Sequence, residues 1–197
     1  MTVPGTLIPD EAWDLLVDWL PSNEDPERPQ VTLSTVDSFG DPDARTVLLT
    51  SFDEKGFYFN TDGASRKAAD IAAHPAVAIT VLWPGFTHQV VIRGTADPAP
   101  PAHVAAAYAA RSPYLKQLAW LNTHEFAALP RDERVAQWAA FEEAHAGVFE
   151  QPESWVGYLV TPTRLTFWSS NGDTASQRVE FSLAADGGSW SRRLLAG

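Results

Sequence analysis

Cysteine is absent from the 197 residues. That excludes disulfides, thiolate metal sites and a cysteine nucleophile, and it suits a cytoplasmic protein. Cations are scarce: Lys and Arg total 14 against 25 Asp and Glu, a formal charge of −11, and Lys55, Lys67 and Lys116 are the only lysines. So acidic a chain is a poor partner for nucleic acid or for an anionic membrane surface. No apolar run approaches the roughly 18 residues of a membrane span. The start, Met1-Thr2-Val3-Pro4-Gly5, lacks the basic and apolar regions of a secretion signal. There is no G-x-G, so the dinucleotide fingerprint is missing, and no Walker loop or G-x-S-x-G. His74, His88, His103, His124 and His145 lie too far apart to make a paired-histidine metal motif.

What is present describes a globule: 45% hydrophobic and 20% charged residues, with eight Trp. The length suits a single domain over 1–197. Residues 9–20 read as an amphipathic helix with Trp13, Leu16, Val17 and Leu20 on one face, followed by a polar linker, so 1–29 is an N-terminal helix and linker. The period then changes to two. Strands are expected at 31–37, 44–52, 56–61, 76–83 and 88–97, joined by turns such as DEKG, with a helix at 65–74. A helical insert covers 100–147, with helices at 100–111 and 130–146, the second carrying Val135, Trp138 and Phe141 at helical spacing. Strands return at 154–160, 164–170 and 178–184, and the closing SWSRRLLAG reads as strand. Strands without βα alternation predict a mainly β, α+β fold: a small antiparallel barrel with attached helices.

The most informative local feature is Ser65-Arg66-Lys67 at a helix start, with Ser65 as N-cap. Backbone amides, a hydroxyl and two cations there make an anion site. The plainer alternative is a solvated basic pair. Arg45 opens the uncharged strand RTVLLT, and the DEKG turn folds GFYFNT back beside it. Arg45, Asn60, Thr61, Ser65, Arg66 and Lys67 can therefore converge on one phosphate monoester, which carries about −1.5 to −2 charges. Gln89 can supply a polar contact to the edge of an aromatic cofactor.

RTVLL, the DEKG turn, FYFNTDGASRKA, HPAVAITVLWP, HQVVIRGTA and SWVGYLVTPTRLTFW, with Arg178 ten residues after Trp168, resemble the pyridoxamine/pyridoxine 5′-phosphate oxidase family over roughly 30–197. The resemblance implies an FMN-binding split β-barrel working as a homodimer, with flavin at the subunit interface. By position it assigns Arg45, Arg66 and Lys67 to the FMN phosphate region, with Asn60 and Thr61 beside them. It assigns Gln89 to the isoalloxazine edge, and Trp168 and Arg178 to flavin contacts. A further Gln-Ser flavin pair of the family falls near His124-Glu125 and is not matched.

The resemblance breaks at the substrate. The family's phosphate-gripping lysine is Thr50 here. Tyr108 is kept, Arg111 stands one position out of register, and the family's serine falls at Lys116. The family's late Arg and His are replaced within Thr174-Ala175-Ser176-Gln177. Charge-assisted hydrogen bonds contribute about 1.5–3 kcal/mol each. Losing two removes about 10²–10⁴ in affinity. The sequence thus predicts an FMN-dependent oxidoreductase acting on a small molecule other than a pyridoxine phosphate. The expected substrate-side residues are Thr50, Tyr108, Arg111, Thr174 and Ser176, with Arg178 and Tyr108 nearest the chemistry. His124 is a candidate base against the plainer reading of a loop histidine. Competing readings are a genuine pyridoxamine/pyridoxine 5′-phosphate oxidase with a rearranged clamp, a non-catalytic flavin- or haem-binding module, and a deazaflavin reductase.

Overall fold

The computed structural model describes residues 8–197. The secretion-signal reading of residues 1–5 lies outside them. Helix α1 (Asp10–Trp19) starts with Asp10 and Glu11 in its first turn, where acidic groups suit the helix dipole. It buries Ala12 and Leu16, flanked by Ile8 and Leu20. Val17, expected on that face, points to solvent instead at 54% exposure. Trp19 sets its ring edge-on to Trp83, His88 and Phe167, tying the helix to the sheet.

Strands β1 (Gln30–Val36), β2 (Pro42–Asp53), β3 (Gly56–Asp62), β4 (Ala76–Leu82), β5 (His88–Pro98) and β6 (Trp155–Ser169) pair in the order β3-β2-β1-β4-β5-β6. A β3–β6 pairing closes the ring, so a six-stranded antiparallel barrel forms as the period-two pattern predicts. Strands β7 (Gln177–Leu183) and β8 (Trp190–Ala196) extend the sheet from the far half of β6. Alternating residues fill the barrel, including Leu33, Leu49, Phe57, Phe59, Ile79, Ile92 and Leu165, all fully buried.

The two strands expected at 154–160 and 164–170 are one. Pro162 lies at a register irregularity between Arg93 and Gly94, so the proline's missing N–H interrupts no regular ladder. A side chain at Gly94 would strike the backbone at Thr161.

Helix α2 (Arg66–Ala73) follows β3. Among helices α3 (Pro101–Ala109), α4 (Pro113–Leu121), α5 (His124–Ala128) and α6 (Arg131–Ala144), the two middle ones were not anticipated. Each begins at a hydroxyl cap: Ser112 Oγ accepts from Leu115 N, and Thr123 Oγ1 from Phe126 N. Helix α6 buries no residue, and Val135 is 56% exposed. Its aromatic residues meet neighbours in the helical layer, Trp138 with Tyr114 and Phe141 with Phe149. Helix α3 packs on the barrel through a second cluster of Tyr58, Ala99, Val104, Tyr108 and Trp155.

Candidate functional site

The β2–β3 hairpin and α2 bring the expected cations together. Thr61, near the end of β3, receives a hydrogen bond from Lys67 Nζ at 3.1 Å, and its hydroxyl lies 3.4 Å from Ser65 Oγ. Ser65 holds the N-cap position of α2, but its side chain caps nothing: it faces Thr61, and no side chain caps the amides of this helix start. Burial, reinforced by the charge of Arg45, pushes the Lys67 ammonium pKa below its ordinary value.

Arg45 enters from β2. Its Nη1 donates to Thr35 Oγ1 at 2.6 Å, and its Nη2 to Asp43 Oδ2 at 2.7 Å and Asp70 Oδ2 at 3.2 Å. Arg66 is exposed and reaches Asp43 at 3.6 Å. Neither carboxylate was anticipated. Asp43 sits near the start of β2 and Asp70 in the short helix α2, 25 residues from Arg45.

Asn60 and Thr50 lie one step along the same hairpin. Thr50 occupies a bulge between Leu49 and Ser51, and its hydroxyl donates to Asn60 Oδ1 at 3.0 Å. Gly157 leaves room for this arrangement. A Cβ there would stand 2.6 Å from Asn60 Nδ2 and 2.7 Å from Val104 Cγ2. Beside Thr50, Ser51 Oγ and His103 Nε2 are 2.9 Å apart, a pair separated by 52 residues in the chain. The imidazole stacks on Tyr58 at 3.8 Å, and burial holds its pKa below the ordinary histidine value, against the opposing charge of Asp53. Burial, helped by the hydrogen bond to Asp53, pushes Tyr58 up to about 12.

A second group forms across three strands. Gln89, Trp168 and Arg178 are direct cross-strand partners, Gln89 opposite Trp168 and Trp168 opposite Arg178. Their side chains therefore share one face of the sheet. Trp168 Nε1 donates to Ser176 Oγ at 2.9 Å, its ring lies 4.5 Å from that of Phe86, and Arg178 Nη1 donates to Ala196 O. Thr174 and Ser176 line a polar depression in the β6–β7 loop with Asn171 and Gln177. Among the described residues no hydrogen bond, ion pair or ring contact joins this group to the Arg45–Lys67 group. A larger groove beside Trp13, Val17 and Phe52 contains none of these residues.

The helical insert places its residues differently. Tyr108 is 4% exposed and donates to Glu150 O at 2.7 Å, and its ring meets Trp155 edge-on. Arg111 turns inward: Nε and Nη2 donate to Leu115 O, and Cζ lies 4.2 Å from the Trp155 ring centroid. Lys116 Nζ lies 5.9 Å from the Tyr108 ring centroid. His124 is exposed at the start of α5.

Residues 23–146 match the sequence model of a family described as pyridoxamine 5′-phosphate oxidase. The pyridoxine/pyridoxamine 5′-phosphate oxidase of Caulobacter vibrioides is 34% identical over 98% of this chain and 88% of its own length. That of Azorhizobium caulinodans is 35% identical over 87% of this chain and 83% of its own. Among solved structures, PhzG from Burkholderia lata in complex with tetrahydrophenazine-1-carboxylic acid has a TM-score of 0.81 at 23% identity, covering 100% of this chain and 98% of that one. An FMN-binding protein of Nostoc punctiforme related to pyridoxamine 5′-phosphate oxidase has a TM-score of 0.73 at 19% identity, covering 98% and 100%. At those identities the two structures speak to the fold alone, and the fold is theirs: a split barrel.

Proposed function

This chain belongs to the pyridoxamine 5′-phosphate oxidase family, and from that membership we propose that it is an FMN-dependent oxidoreductase whose substrate is small and carries no phosphate. The Arg45–Thr61–Ser65–Lys67 cluster carries the cofactor half of this reading. Two cations, two hydroxyls and an uncapped helix start lie within one hairpin and one helical turn. That donor set fits the FMN phosphate. Gln89, Trp168 and Arg178 offer an amide, an aromatic surface and a cation on one face, which suits a flavin ring and its polar edge.

When bound, FMN supplies a hydride acceptor. The chain's own residues bind and orient. Arg45 and Lys67 hold the phosphate with Thr61 and Ser65, Arg66 adds an exposed charge at the rim, and Asn60 steadies Thr50 at the hairpin. Gln89 and Trp168 would hold the ring, and Arg178 would supply a cation on the same face of the sheet.

The substrate half rests on what the clamp positions touch. Thr50 gives its hydroxyl to Asn60, Tyr108 to a backbone carbonyl, and Arg111 both Nε and Nη2 to another. The groups beside Thr50 are Ser51 and His103, whose burial favours the uncharged ring. Hydroxyls at Thr174 and Ser176 replace charges at the loop that faces Trp168. A neutral or non-phosphorylated molecule suits these surroundings.

We propose further that the chain works as a homodimer with flavin at the interface, as its family resemblance implies. Phe39 at 89%, Phe86 at 57% and Val148 at 73% exposure offer apolar surface for it. Purification should yield a yellow protein whose released chromophore is FMN and whose flavin is bleached by a reducing substrate. A colourless protein that does not bind added FMN contradicts the cofactor assignment. Bound flavin that no donor reduces points to a non-catalytic flavin carrier.

A further inference from the structure

Two carboxylates share one nitrogen of Arg45, and their settings differ. Asp70 is 4% exposed, and the oxygen that meets Arg45 at 3.2 Å also accepts a 2.6 Å hydrogen bond from Thr35, itself 1% exposed. Thr35 in turn accepts from Arg45 Nη1, so the three residues form a closed triangle whose Thr35 and Asp70 corners are buried. Asp43 approaches from solvent with a side chain 38% exposed. Its Oδ2 lies 2.7 Å from Arg45 Nη2 and 3.6 Å from Nη1 of Arg66, whose side chain is 81% exposed. One carboxylate oxygen thus bridges two of the cations assigned to the cofactor phosphate, at the place where a phosphate oxygen spanning them would lie.

We propose that these two acids have opposite roles in binding a phosphate monoester. Asp70 is a positioning residue that keeps the Arg45 guanidinium at the mouth of the site, and Asp43 is an internal competitor that phosphate displaces. This inference rests on the phosphate-site reading above.

The physical reasons are distinct. A buried carboxylate stripped of its cation is strongly disfavoured, so Asp70 stays on Arg45 whatever else binds. Asp43 can turn into water at little cost. Left in place, it would face a doubly charged phosphate within a few ångströms, a repulsion that would weaken binding by about 10³ or more at the effective dielectric of a protein surface, so it leaves the site. The site therefore recognises the phosphate by exchanging one anion for a stronger one. Asp43 keeps Arg45 and Arg66 paired until that exchange.

The test compares FMN with riboflavin, which has the same ring and no phosphate, by flavin fluorescence on the full chain. Asp43→Asn should tighten FMN about two- to tenfold, the effect of two surface ion pairs that no longer have to be broken, and leave riboflavin unchanged. Asp70→Asn should weaken FMN at least about tenfold, again leaving riboflavin unchanged. A role confined to stability would shift both ligands together. FMN binding that is unchanged or weakened in Asp43→Asn overturns the proposal. So does FMN binding that is unchanged in Asp70→Asn. Asp43 is on the surface, so its variant decides the outcome even if Asp70→Asn fails to fold. A wild-type protein that binds FMN and riboflavin equally contradicts the phosphate site itself, and this proposal with it.

Discussion

Arg45 and Arg111 are the same side chain in opposite circumstances. Arg45 stands at the rim of the barrel, held by Thr35 and Asp70 and touched from solvent by Asp43, with Lys67 and Arg66 nearby. Arg111 lies in the helical layer with its nitrogens on Leu115 O and its carbon over Trp155. Burial lowers the pKa of its guanidinium. One arginine is held by a hydroxyl and two carboxylates beside two other cations, whereas the other ties α3 to α4 and to the start of β6. A cation near a family's substrate position therefore does not count as a phosphate clamp until its own hydrogen bonds are counted.

The largest effect that would separate the two regions comes from Arg45→Ala combined with Lys67→Ala. Two charge-assisted hydrogen bonds to phosphate are lost, so FMN affinity should fall about 10²–10⁴-fold, measured by equilibrium titration. Unchanged FMN affinity in this variant would remove the phosphate site from Arg45 and Lys67. Tyr108→Phe should behave in the opposite sense. Its hydroxyl serves Glu150 O, which Trp120 also contacts, so the variant should lose about 1 kcal/mol of unfolding free energy and keep its FMN affinity. A variant of full stability with a raised KM would return Tyr108 to the substrate.

A smaller effect concerns pH. The Lys67 pKa is depressed by burial and by Arg45, and its cation exists only below that pKa. FMN affinity should therefore decline on the alkaline side before the ordinary lysine value of 10.5 is reached. Lys67→Arg should postpone the decline, since a guanidinium stays charged. A flat profile up to 10.5 would mean that Lys67 carries no part of the phosphate.

The difference between the regions also explains what could be read in advance. Period-two alternation marked the barrel strands, because one face of each strand fills the interior. The convergence of Arg45, Thr61, Ser65 and Lys67 followed from a tight turn between two strands and a helix start, all local. Partners distant in sequence were invisible. Asp70 meets Thr35 across 35 residues, and Ser51 meets His103 across 52. Val17 and Val135 show a related limit, since helical spacing places residues on a face without saying which face meets the core. Pro162 misled for the opposite reason: proline ordinarily ends a strand, but a register irregularity absorbed it.

The most direct measurement takes the FMN-loaded protein and titrates its flavin absorbance with pyridoxal 5′-phosphate and with pyridoxal. If the chain holds one phosphate, that of its cofactor, the two ligands should differ in affinity by no more than about tenfold. A preference of about 10²–10⁴ for the phosphorylated ligand, the magnitude of two charged contacts, would show that a second phosphate clamp exists and contradict the proposed function.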